Sequence, residues 1–127
     1  MSAATIAATA NAWNDLKDID EVEPVNSDDR DCLLEIREVL KRHGRQDRFG
    51  VALLHKHFAL RNDELLVERT NKELRTLIIQ PVTPQDAGST VGTIFRLGDG
   101  EAPEAFLGCM QYCGKDVHGN HSSFHRI

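Results

Sequence analysis

The apolar spacing of this chain changes at Gly44, and that change limits the folds open to it. Before Gly44, Cys32, Leu33, Ile36, Val39 and Leu40 recur at helical spacing, with Glu35, Arg37 and Glu38 off the stripe. Ser27 or Asp28 caps this segment, Asp29 and Asp31 place negative charge in its first turn, and Gly44 stops it. The pattern predicts an amphipathic helix with one buried face. After Gly44 the apolar runs are short and punctuated by turn residues. Strands are expected over 50–60, 64–70, 74–80, 91–97, 105–113 and 121–127, the first three forming an antiparallel meander. Residues 50–60 also fit a helical stripe through Val51, Leu54, His55 and Phe58. Their short length and the turn-like Asn62-Asp63 that follows favour a strand and a hairpin. Residues 81–90, with two prolines and a Gly-Ser pair, read as a loop. A helix followed by hairpins is an α+β pattern, here one main amphipathic helix packed on a mostly antiparallel sheet of five or six strands.

The N-terminal part is different. Residues 1–12 are small and Ala-rich, either a frayed lead-in or a helix continuing toward Trp13 and Leu16. An acidic, Pro24-containing stretch then reads as an extended linker. Residues 1–26 are therefore expected to lead into a single α+β domain over 27–127. A chain of 127 residues buries enough surface to fold without disulfides or a metal.

The net charge of −5, concentrated from Asp15 to Asp31, opposes a role on a phosphate backbone, so no nucleic-acid partner is expected. The basic cluster from Lys41 to Arg48 reads as cations complementing a helix C-terminus. Three cysteines, one inside the helix, oppose a secreted disulfide framework. No basic leader and no membrane-length apolar run is present, so a cytoplasmic protein without a membrane partner is the expectation.

Chemistry concentrates in two stretches. On a strand, His55 and His57 would face the same side about 6–7 Å apart, a spacing at which two imidazoles hold a divalent metal. On a helix they would diverge. The final strand repeats the pattern with His121 and His125, after His118 in the preceding turn, while Cys109, Gln111 and Cys113 share a face of the strand before it. The candidate metal ligands are His55, His57, His121 and His125, with zinc or iron as the metal. Each residue type also has a plain structural use, as a hydrogen-bonded histidine or a packed cysteine. Gly88-Ser89-Thr90-Val91-Gly92 puts serine directly after glycine and is no nucleophile elbow. Gly98-Asp99-Gly100 lacks a third glycine and is no dinucleotide loop, and Cys109 and Cys113 are too far apart for C-x-x-C redox chemistry.

HKHFALRNDELLVE, beginning at His55, resembles the first metal motif of the cupins, an H-x-H followed by an acidic residue near the next strand. That resemblance implies a metal-dependent dioxygenase or isomerase. RFGVALLHKHF, beginning at Arg48, is similar to a segment of small uncharacterised microbial proteins and implies no activity. Two functional classes follow. One is a non-enzymatic binding or interaction module that self-associates through a sheet edge. The alternative is a metal-dependent enzyme in which His55 and His57 are joined by His121 or His125.

Overall fold

The computed structural model describes residues 2–100, 104–115 and 121–125, with the side chains of residues 104, 106, 111–115 and 121–125 outside the description. The chain forms two units, residues 1–15 with 58–127, and residues 16–57.

The first unit holds the sheet. It contains helix α1 (Ala3–Asn14), strands β1 (Leu65–Asn71) and β2 (Thr76–Val82), the short helix α3 (Pro84–Ala87), and strands β3 (Ser89–Arg96), β4 (Glu104–Lys115) and β5 (His121–His125). Four strands lie in the order β2-β1-β4-β3, and β5 pairs with the end of β4. The pairings are antiparallel except at the centre, where β1 and β4 run parallel through Leu66↔Leu107, Val67↔Gly108 and Glu68↔Cys109. Two hairpins thus sit side by side, joined through α3.

Alternation along β1 divides its side chains between two faces. Val67, 1% exposed, packs with Val82 and with Ala87 of α3, flanked by Leu65 and Met110. Leu66 belongs to the other face, in line with Leu107 and Cys109, and all three are buried. Helix α1 packs against β4 and β1, burying Ile6, Thr9, Ala10 and Trp13. Alanine's high helix propensity favours this segment, and the Ser2 hydroxyl caps it by accepting from the Thr5 amide at 3.1 Å. At its far end the Arg96 guanidinium donates to the Ala12 carbonyl at 3.0 Å, a cation placed where the helix dipole is negative.

The end of α1 also holds the chain that enters the sheet. Trp13 Nε1 donates to the Phe58 carbonyl at 2.8 Å. The Asn14 side chain donates to the Leu60 carbonyl and accepts from the Leu60 amide, both at 2.8 Å, imitating a strand partner. These contacts correct the expected first strand. Residues 50–60 form neither strand nor helix, because backbone groups that a hairpin would use are already taken. Asn62-Asp63 is a turn, closed by the Arg61 amide on Glu64 Oε1 at 2.7 Å, but it leads into β1 rather than joining two strands. The meander reduces to the β1–β2 hairpin, and the described strands number five. The expected loop over 81–90 contains α3, started by Pro84. Within this unit the helix packed on the sheet is α1.

The β3–β4 hairpin carries two register shifts, between Gly92 and Ile94 and between Ile94 and Phe95. Glycine is required at this bulge, since a Cβ on Gly92 would lie 2.8 Å from the Ala105 Cβ.

The second unit contains two 3₁₀ turns, Ile19–Glu21 and Ser27–Asp29, and helix α2 (Arg30–Arg42). A parallel bridge closes it. The Lys56 amide donates to the Lys17 carbonyl and the Ile19 amide to the Lys56 carbonyl, both at 3.0 Å. The Lys56 ammonium donates to the Leu16 carbonyl and lies 3.9 Å from Asp18.

The Asn14 clamp predicts a measurable cost. Asn14→Ala strands the buried Leu60 backbone groups and should lower unfolding stability by about 1–3 kcal/mol in urea titrations. Hydrogen exchange at the Leu60 amide should accelerate in parallel.

Candidate functional site

Helix α2 is built as its sequence requires. The side-chain cap is Asn26, at the head of the 3₁₀ turn Ser27–Asp29 that leads into α2, rather than Ser27 or Asp28; Asp29, next to the helix, makes no side-chain cap of its own. Asn26 Oδ1 accepts from the Asp28 amide at 2.8 Å, while Asp29 Oδ2 accepts from the Asn26 amide at 3.0 Å, a capping box. At the other end Gly44 adopts φ 65°, the Arg45 amide donates to Leu40 and the Gly44 amide to Lys41. That pair of bonds is a Schellman stop. Asp31 near the start and Lys41 and Arg42 near the end both complement the dipole.

Helix α2 exposes most of its side chains. None of its residues is buried. Leu34, Ile36 and Leu40 are half-buried, and Cys32, Leu33 and Val39 are exposed. The stripe expected to be buried is at most half-buried. The following extended chain adds exposed Phe49, Val51 and Leu53, with the Arg48 guanidinium 5.5 Å from the Phe49 ring. A shallow depression beside Leu34, Glu35, Glu38 and Arg42 lies on the side of α2 away from Leu33, Ile36 and Leu40. A large contiguous patch of exposed apolar side chains marks an interaction site.

The imidazoles of His55 and His57 do come together, although not on a strand. Their centroids are 5.0 Å apart and their planes are at 86°. His55 Nδ1 lies 2.7 Å from the Leu53 carbonyl, which only accepts, so Nδ1 carries the proton and a neutral ring keeps the Nε2 lone pair free. Among the described residues, no third Cys, His, Asp or Glu converges with them to hold a metal ion. His121 and His125 lie on β5, opposite Lys115 and Gln111, and their side chains are outside the described residues, as is the turn containing His118.

One polar cluster escaped the sequence pattern. On adjacent central strands, the Cys109 thiol donates to Glu68 Oε2 at 2.7 Å, and Thr93 Oγ1 lies 3.5 Å from the sulfur. The Thr93 hydroxyl also donates to the Leu107 carbonyl at 3.4 Å. Burial pushes the Cys109 thiol above its ordinary value of 9.0, and the hydrogen bond to Glu68 and its charge push the same way, against a smaller opposite effect of Thr93. A thiol held protonated is a poor nucleophile. Glu68 lies in the strand expected over 64–70, with no local signal of its own. Its pairing with Cys109 depends on the parallel register, which no local pattern encodes.

A thiol pKa raised in the folded state adds stability that is fully present below 9.0 and is lost as pH rises through the folded value. Urea unfolding at pH 7 and pH 10 should therefore show the native chain losing more stability than Cys109→Ala over that interval. Equal losses would remove the thiol from the account. Comparison with family models, with curated proteins and with solved structures finds no match to this chain.

Proposed function

We propose that this chain is a non-enzymatic interaction module that presents α2 to a protein partner. The apolar stripe of α2, at most half-buried, carries this reading. Leu33, Ile36 and Leu40 fall at i, i+3 and i+7, the spacing with which an amphipathic helix enters an apolar groove. The helix is capped at both ends by its own neighbours, so it is formed before a partner arrives and little ordering entropy opposes docking.

The test uses both faces of the helix. A photo-crosslinking residue at position 36 or 40, introduced into the producing cells, should give one discrete protein adduct. The same residue at position 35 or 38 should not. Leu33→Asp should abolish the adduct while changing unfolding stability by less than about 0.5 kcal/mol, because that side chain is exposed. Failure to crosslink from either face, or equal crosslinking from both, would reject α2 as the docking element.

A second reading is favoured by the facing imidazoles of His55 and His57. A divalent zinc or iron ion bound there would polarise a substrate or its water, as in the cupin-like enzymes the motif resembles. The hydrogen bond from His55 to the Leu53 carbonyl is the kind of support that orients a ligating histidine. Calorimetric titration with zinc should then show stoichiometric binding that is lost in His57→Ala. Unchanged heats in that variant would dismiss the site.

A further inference from the structure

The two ends of the β2-β1-β4-β3 order differ. At one end β3 is interrupted by its register shifts, a device that blunts a sheet edge. At the other, β2 pairs with β1 through an unbroken run from Leu65↔Val82 to Asn71↔Thr76. Among the described residues no strand pairs with its far side. Along that open edge Leu77, Ile78 and Ile79 are 61%, 56% and 45% exposed. Opposite neighbours on β1 place Leu77 and Ile79 on one face and Ile78 on the other, so both faces of the edge are apolar. The stretch Thr76–Gln80 contains no lysine, proline or bulge of the sort that usually protects an edge.

We propose that β2 is a homodimerisation edge, in which two copies of this chain pair antiparallel through Thr76–Gln80 about a two-fold axis at Ile78. Pro81 sets the phase. A proline in an edge strand keeps its missing donor on the open side, which puts the backbone groups of Leu77 and Ile79 on that side as well. Leu77 of one copy then exchanges hydrogen bonds with Ile79 of the other, and the two Ile78 residues form the close, non-hydrogen-bonded pair between them. Leu77 and Ile79 from both copies cluster on one face of the joined sheet.

Charge favours a second copy over an unrelated strand. The hairpin tip carries Lys72 and Arg75 with Glu73, and the opposite end carries Asp63, Glu64 and Asp86 with Arg61. Antiparallel pairing lays the more basic tip of each copy beside the more acidic base of the other, twice. The association also closes, because the self-complementary edge is consumed in the pair and the bulged β3 edges offer no continuation. The contact is small, so a dissociation constant of about 10–100 μM is expected.

The test uses the full chain carrying Cys32→Ser to remove the exposed thiol of α2. Sedimentation equilibrium should show a monomer–dimer system, and Ile78→Lys should raise its dissociation constant at least about tenfold. Under mild oxidation Ile78→Cys should give a covalent dimer, since the two Cα atoms of such a pair lie about 4.5 Å apart. Leu74→Cys should not, because its two copies would lie roughly 27 Å apart in this register. Arg75→Glu and Asp86→Lys should each weaken the dimer severalfold, and combining them should restore it. A chain that stays monomeric at about 1 mM overturns the proposal. So does crosslinking that is equal at positions 74 and 78, or a dimer indifferent to Ile78→Lys.

Discussion

Two hairpins become one sheet only where Leu66, Val67 and Glu68 lie beside Leu107, Gly108 and Cys109. That three-residue parallel contact is short, and the rest of the first unit is arranged around it. Val67 anchors one side with Val82 and Ala87, while Leu66, Leu107 and Cys109 bury the other. The bond between Cys109 and Glu68 adds a polar tie across the same seam. Removing the register would leave two isolated hairpins, each too small to be stable in water.

The sequence made the strands themselves legible, because their β-branched runs and turn residues are local signals. The pairs Leu77–Ile79 and Thr93–Phe95 sit in strands close to where alternation and punctuation place them. Helix α2 was equally clear from its stripe and from Gly44. What failed was inference from local pattern to tertiary partner. Residues 50–60 look like a strand, yet Phe58 and Leu60 bond to the side chains of Trp13 and Asn14, 45 and 46 residues away. The Ala-rich start reads as either a lead-in or a helix toward Trp13; it is the helix, and Ala10 is fully buried although alanine carries little apolar surface. The strong stripe of α2 signalled only that the face is apolar. Nothing in such a stripe distinguishes a core from a binding surface.

The histidines illustrate the same limit differently. Their proximity was expected from strand geometry and is found without a strand, held instead by the path of the chain between Leu53 and the Lys56 bridge. The two units also distribute their apolar side chains unlike one another. The sheet unit hides Leu66, Val67, Leu107 and Trp13 and leaves aliphatic residues bare along β2. The other unit buries none of α2. Exposed apolar side chains lie on the regular elements α2 and β2, which a groove or a strand could recognise, and also on the irregular chain at Phe49, Val51 and Leu53.

Helix α1 is made well before the strand β4 on which it rests. The carbonyl of Ala12 meets Arg96, 84 residues further on, and α1 rests on β4, which is later still. At ordinary rates of synthesis that interval is on the order of ten seconds. A helix of 12 residues is marginal alone in water, so Ile6 and Trp13 spend this time on a fluctuating segment with no core to enter. Any nascent chain that stops before β4 carries that segment unsheltered, which makes α1 a handle for chaperones and proteases acting on incomplete copies.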